Sequence, residues 1–483
     1  MEEVPALPWS TYTLLFRTGD RGGFCYNALS NTLIELDEAH YRLVEAYRDG
    51  RMPPDAGDDG LVDLLRRKHV LVEDGEEEDL LLARHHRRQA ACFDTSSLGL
   101  AVCPTLRCNF RCPYCYEADQ EDGGFMSAST RERLVAWIGR HESIRSLSVS
   151  WYGGEPLLAF DTIRALTERF LALGLAYRKA RLVTNGYLLD DEKIARLDEL
   201  RIESVQITLD GPREVHDSRR VLAGGGPTFE RILGNVAALM GSGWSGTCGI
   251  RVNVDRHNLG AFLELRAELL ERFAGTRLSV YPGRVDVTGD QAYDACACLD
   301  TEEWADFALE LADRRWVFPV SGLHPGGFLD GTCVATRLQG FVVGPAGELY
   351  KCWDDVGRPQ SVVGSVCAEE TTVDAVLQAR YVTGVDPYAD PECLACKVLP
   401  VCGGGCAHRR LLVRYEGREG IDHCSPYKTR LRDFLEAYVR AVRSRESCTA
   451  LLQDGPVDAA RPAYRVISPR LARSPAAAGE GQG

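Results

Sequence analysis

LGLAVCPTLRCNFRCPYCYE, residues 98–117, sets a short apolar run directly before three cysteines spaced C-x3-C-x2-C, at Cys108, Cys112 and Cys115. The run LGLAV reads as a buried strand, and the cysteines occupy the loop at its C-terminal end. Three thiolates can hold a 4Fe-4S cluster and leave one iron open to a small-molecule ligand, the arrangement needed when a cluster must touch a substrate. The same residues also suit a zinc knuckle completed by a fourth nearby Cys or His, or three free thiols in a reducing compartment.

Outward from this stretch, between Leu98 and Tyr281, β-type runs alternate with amphipathic helices, the pattern of parallel strands joined by helical crossovers. The strands predicted are LGLAVC from Leu98, SLSVSWY ending at Tyr152, RLVT ending at Thr184, SVQITLD ending at Asp210, GIRVNVD ending at Asp255 and RLSVY ending at Tyr281. Ser129 and Glu132 read as a capping box before RERLVAWIGR, and DDEKIARLDEL and TFERILGNVAALM carry helical spacing. Six βα units predict an α/β fold, a partial (βα)6 barrel of the TIM type, with its chemistry at the C-terminal ends of the strands. The three cysteines fall on that rim. So does SWYGGEP, where Gly153 and Gly154 permit close backbone approach to a ligand, Pro156 closes the turn, and the Glu155 carboxylate can pair with an ammonium group.

The chain has 483 residues, enough for two or three domains. Its net charge of −14 argues against a nucleic-acid partner or an anionic membrane surface. The local exception, Arg84, His85, His86, Arg87 and Arg88, reads as a solvated linker face. The start, MEEVPALPWSTYT, has no secretory pattern and no stretch has bilayer-spanning length, so a cytoplasmic enzyme is expected. In that compartment the 18 cysteines are ligands or small core residues and not a disulfide framework. Cys25, Cys92, Cys103, Cys248, Cys367 and Cys448 fall in no ligand spacing.

In order along the chain, CNFRCPYCYE, YGGEP, LVTNGYLL at 182–189 and ITLDGPREVHDSRR at 207–220 resemble the radical S-adenosylmethionine superfamily. The resemblance implies that Cys108, Cys112 and Cys115 bind a 4Fe-4S cluster that chelates S-adenosylmethionine. It also implies that Gly153, Gly154 and Glu155 hold the methionine amine, and that Thr184, Asn185 and Thr208 line the cofactor pocket. Thr208 stands where family members often have Ser. Downstream, C-x13-G-x4-C at Cys333, Gly347 and Cys352 precedes C-x2-C-x5-C-x3-C at Cys393, Cys396, Cys402 and Cys406, and finally Cys424. This pattern resembles the SPASM extension of peptide-modifying members, which implies two auxiliary 4Fe-4S clusters. By that analogy Cys393, Cys396, Cys402 and Cys424 hold one, and Cys333, Cys352 and Cys406 bind the other, with Cys296 or Cys298 as its fourth ligand or an open iron. Thiolates at the spacing of Cys393, Cys396, Cys402 and Cys406 also suit a zinc ribbon.

Residues 12–72 read as strands YTLLFR, GGFCYNAL and NTLIELD, helices EAHYRLVEAYRDG and LVDLLRRKHVL, and a returning strand VLVEDG. This order resembles the winged-helix RiPP recognition element, which implies binding of a precursor's leader peptide by strand addition. The acidic run GEEED, 75–79, is expected as a linker. The domains predicted are thus 1–92, a small α+β peptide-binding module; 93–315, the barrel; 316–440, the SPASM domain; and 441–483, a mostly disordered tail. The function implied is oxidative maturation of a ribosomal peptide, such as a thioether or carbon-carbon cross-link, driven by a 5′-deoxyadenosyl radical with electrons from a flavodoxin or ferredoxin. The alternative is an anaerobic sulfatase-maturating enzyme making formylglycine; that family has an Asp directly after the cluster cysteine, whereas CWDD inserts Trp353 before Asp354, the candidate general base. A reading of another class is a non-catalytic iron-sulfur protein that binds peptides.

Overall fold

The computed structural model describes residues 7–19, 22–51, 60–117, 124–286, 293, 297–313, 322–326, 333–368, 373–452 and 464–468. Among them the six expected strands are all present: β4 Ser97–Val102, β5 Ser146–Trp151, β6 Ala176–Thr184, β7 Ile202–Thr208, β8 Thr247–Val254 and β9 Leu278–Arg284. They follow β1 Thr13–Arg17, β2 Gly23–Asn27 and β3 Thr32–Leu36 of the N-terminal module. β4 to β9 pair in sequential order and all in parallel. Such strands are covered on both faces, so their sequences are nearly continuously apolar. Leu182, Val205, Ile207, Ile250 and Val252 are fully buried beside Trp151, Phe170 and Phe262. Each such side chain stabilises the fold by about 1.5–3 kcal/mol relative to exposure.

The sheet does not stop at β4. β10 Gly340–Val343 pairs with β4 in parallel, and β11 Glu348–Tyr350 and β12 Gly364–Ser365 extend it antiparallel. A strand-turn-strand unit that opens the cysteine-rich region is therefore hydrogen-bonded onto the edge of the parallel sheet, beside the strand that precedes Cys108. The rest of that region consists of short helices, among them Pro391–Leu394, Leu399–Cys402 and Ala407–Glu416.

Several local expectations are corrected. The cap of the helix Ala128–Gly139 is Ser127, whose side chain accepts from the Thr130 N–H at 3.0 Å, and not Ser129. GEEED is no linker: it opens the helix Glu76–Cys92, where its carboxylates meet the positive end of the helix dipole. The basic cluster on that helix is not a solvated face, because Arg84 and Arg88 are buried and His85 stacks on Tyr388 while bonding Asp386 at 2.7 Å. VLVEDG forms no strand; Leu71 makes a single bridge to Trp9. Residues 441–452, assigned to a tail, continue the helix Tyr427–Leu452, and β13 Tyr464–Val466 pairs with β3. Residues 469–483 lie outside the described residues.

The N-terminal sheet runs β1-β2-β3-β13. Its aromatic face, Tyr12, Phe16, Phe24 and Tyr26, packs on Leu431, Phe434 and Leu435 of the C-terminal helix and on Val398 and Val401 beside the cysteines. No helix among the described residues is long and apolar enough to cross a membrane.

Candidate active site

The C-terminal ends of β4, β5, β6 and β7 bring Cys108, Cys112, Cys115, Gly153, Gly154, Thr184, Asn185 and Thr208 to the lining of one pocket of about 360 Å³. Asp354 joins them from the loop after β11. The cysteine loop is fixed by backbone pairing to 221–223: Arg111 N–H donates to Val221 C=O and Ala223 N–H to Asn109 C=O, each at 2.8 Å. A side-chain bond of 2.8 Å from Asn185 to Asn109 ties the end of β6 to the same loop.

The two glycines serve a closer approach than the sequence suggested. A Cβ at Gly153, whose φ is 111°, would stand 2.4 Å from the Thr105 carbonyl oxygen, and one at Gly154 would stand 2.3 Å from that of Leu106. They let the loop after β5 lie directly on the cysteine loop. Glu155 is fully buried and does not line the pocket. Its carboxylate accepts from the Leu157 N–H at 2.9 Å, the Thr184 hydroxyl at 2.7 Å and the Asn185 N–H at 2.8 Å. The pairing with an ammonium group anticipated for this side chain is replaced by a clamp on Thr184 and Asn185. Burial pushes its pKa up, and those hydrogen bonds oppose the shift. Pro156 is buried at the first position of a single 3-10 turn.

The donor set fits an iron-sulfur cluster. Burial pushes the Cys108 and Cys115 thiols to about 12 and raises Cys112 as well, a penalty that coordination to cationic iron removes by holding them as thiolates. Phe110 N–H already points at Cys108 Sγ at 3.4 Å, and the buried Arg220 guanidinium offsets charge at Cys112.

Sequence reasoning missed several pocket residues. Arg220, which ends the quoted ITLDGPREVHDSRR, donates to the Tyr114 hydroxyl at 2.8 Å, and Tyr114 in turn bonds Asp210. Arg251 and Asn253 reach the pocket from β8. Glu117, the last residue of CYE, is buried with Oε1 unpartnered among the described residues; burial and the nearby Asp354 push it up to about 8. The signal lay in these stretches, but only the packing shows which side chains turn inward. Trp353 packs edge-on to Tyr152, with ring centroids 4.4 Å apart. Asp354 follows it into the pocket.

Cys406 lies within electrostatic reach of Cys333 and of Cys352. Cys402 is a neighbour of Cys393 and of Cys424, and Lys428 faces both Cys424 and Cys396. Arg410 donates to Cys393 Sγ at 3.2 Å. Gly405 allows Cys406 to separate from its sequence neighbours, since a Cβ there would stand 1.8 Å from the His423 carbonyl oxygen, which accepts the Cys406 N–H at 3.1 Å. Cys298 lines a cavity of about 570 Å³ together with Cys424, and Arg284 has both Cys298 and Cys406 as neighbours. Cys296 lies outside the described residues. Among those residues no three His, Cys, Asp or Glu side chains converge closely enough for one metal ion.

The family model of the radical SAM superfamily matches residues 102–269, from the end of β4 to the helix after β8. Residues 102–269 are a radical SAM domain. Over 360 residues the chain is 22% identical to the serine-type anaerobic sulfatase-maturating enzyme of Bacteroides thetaiotaomicron, covering 66% of this chain and 85% of that protein. Over 219 residues it is 28% identical to an uncharacterized protein of Methanothermobacter thermautotrophicus, covering 44% of this chain and 74% of that one. The solved structure of native anSMEcpe with bound AdoMet and Cp18Cys peptide superposes with a TM-score of 0.56 at 20% identity, covering 73% of this chain and 99% of that one. The radical SAM domain therefore contains the three-cysteine loop, the GGEP turn, Thr184, Asn185 and Thr208, and Asp354 reaches its pocket from outside the matched segment.

Proposed function

We propose that the chain is a peptide maturase that oxidises a ribosomally made precursor, forming a thioether or carbon-carbon cross-link. The observation that carries this is the convergence of the three cysteines, Thr184, Asn185, Thr208 and Asp354 on one pocket at the rim of the parallel sheet. When bound there, a 4Fe-4S cluster and S-adenosylmethionine supply a 5′-deoxyadenosyl radical able to take hydrogen from an unactivated carbon. Cys108, Cys112 and Cys115 hold that cluster. The Gly153–Gly154 backbone and the hydroxyls of Thr184 and Thr208 orient the cofactor, and Glu155 fixes Thr184 from behind. Arg220 and Arg251 offer cations to carboxylates in the pocket. Asp354 receives the proton released as the peptide is oxidised, in a pocket lined by Phe110, Tyr114, Tyr116 and Tyr152.

In the same reading, residues 1–92 bind the leader, 93–315 form a partial barrel, and 316–440 form a SPASM domain with two auxiliary clusters. Cys393, Cys396, Cys402 and Cys424 ligate one of these and Cys333, Cys352 and Cys406 the other, with Cys298 or Cys296 beside them. When bound, auxiliary clusters would supply an acceptor for the electron left on the oxidised peptide, and a flavodoxin- or ferredoxin-like protein is the electron donor to the Cys108, Cys112 and Cys115 site.

A second reading, formylglycine formation on a sulfatase, is favoured by the sequence relative from Bacteroides and by the position of Asp354 in the pocket. One experiment separates the two: anaerobic co-expression with a short open reading frame adjacent to the gene, followed by high-resolution mass spectrometry. Loss of two hydrogens with fragmentation blocked between two residues establishes a cross-link. An unchanged peptide, with a sulfatase peptide converted to a hydrazide-reactive aldehyde, establishes the second reading instead.

A further inference from the structure

The outer edge of β3 is occupied by the chain itself. Tyr464, Arg465 and Val466 pair antiparallel with Leu36, Glu35 and Ile34, Ile467 N–H donates to Leu33 C=O at 3.0 Å, and Ser468 Oγ accepts from Leu33 N–H at 2.6 Å. Side chains set the register. The Tyr464 ring packs against His40 with centroids 5.5 Å apart, Arg465 Nε meets Glu35 Oε2 at 2.6 Å, and Ile467 packs on the aromatic face of the sheet.

The attachment is short, and Val466 is 45% exposed. Glu35 does not depend on it, because Arg443 of the C-terminal helix holds its other oxygen at 2.8 Å, so departure of the strand leaves no buried lone carboxylate. An edge of unpaired N–H and C=O groups then opens for any extended peptide.

We infer that residues 464–468 are a tethered competitor for the edge of β3, and that the peptide admitted there is an extended segment with an aromatic, a basic and an aliphatic residue in that order. This rests on the leader-binding reading of the N-terminal module. A tethered segment competes at an effective concentration of about millimolar, so a leader needs the same pattern plus additional contacts to displace it. The strand thereby filters for precursors whose leader carries this register.

The test uses full-length protein and the fluorescein-labelled peptide RPAYRVISPR, the sequence of residues 461–470. Ile467→Pro deletes the N–H that bonds Leu33 and releases the strand. Its affinity for the probe is expected to exceed that of the native chain by about tenfold or more. Arg465→Glu, which removes the ion pair to Glu35 but keeps the backbone pairing, shifts affinity in the same direction by less. Glu35→Arg in the Ile467→Pro background abolishes binding, and a probe with Glu in place of its central Arg restores it. Equal affinity for the native chain and both tail variants, or binding indifferent to the charge swap, overturns the inference. Formation of 5′-deoxyadenosine by the native enzyme under reducing, anaerobic conditions is read in parallel; its absence sinks the enzyme reading whatever the probe does.

Discussion

In the parallel sheet, Trp151, Leu182, Val205, Ile250 and Val252 are fully buried in one apolar cluster that spans all six strands and their covering helices. In the cysteine-rich region the separate core is small: Ala335, Cys352, Tyr381, Val385, Ala407 and Leu411, two of them alanines and one a candidate ligand. The first region holds its shape by hydrophobic burial. The second has helices of four or five residues at Pro391–Leu394, Leu399–Cys402 and Ala375–Ala379, too short to stand alone; Asp390 caps the first and Asp374 the third, and the first two carry Cys393 and Cys402. A segment so poor in apolar area needs another source of order, which in the proposed reading is metal ligation, as in small cysteine-rich domains.

Predictions can break this contrast or sharpen it. The largest effect expected is chemical and not structural: Cys112→Ala lowers 5′-deoxyadenosine formation by on the order of a hundredfold or more, while circular dichroism and thermal unfolding of the sheet stay close to native. A collapsed fold would show that the sheet, too, leans on its cluster. Next, anaerobic removal of iron by a chelator is expected to speed amide exchange in residues 393–424 by about tenfold or more, with β6 and β7 unchanged. Uniform protection in both states would sink the idea that ligation orders the second region.

Within the sheet, Glu155→Ala strands three buried donors, the Leu157 and Asn185 N–H groups and the Thr184 hydroxyl. A loss of roughly 2–4 kcal/mol in denaturant unfolding is expected, together with a higher KM for S-adenosylmethionine. Native stability in this variant would mean the clamp is dispensable.

The smallest effect concerns the seam between the N-terminal module and the C-terminal helix. His324 is buried between Tyr26 and Tyr438, at 5.7 and 5.2 Å between ring centroids, and burial holds its pKa down to about 4 from an ordinary 6.5. The unfolded chain therefore takes up a proton before the folded one does. Stability falls as pH drops from 6.5 to about 4 and levels off below. His324→Phe should flatten that part of a pH series of melting temperatures; an unchanged slope would assign it to other groups.

The primary sequence by itself determined the six parallel strands, the loop carrying Cys108, Cys112 and Cys115, and the glycine turn, because each is local: a short apolar run, a fixed spacing, or a residue type that alone tolerates a close approach. Tertiary structure alone decided what depends on facing surfaces. Glu155 reads as a ligand group until three donors from β6 and its own turn enclose it. Arg84 and Arg88 read as solvated until Leu29 and Asp386 meet them. Glu117 and Arg220 become pocket residues only when strands more than ninety positions apart close around them. Residues 464–468 carry the β-favouring Tyr464, Val466 and Ile467 within a tail of small residues, and it is the edge of β3, with its backbone groups and Glu35, that makes a strand of them.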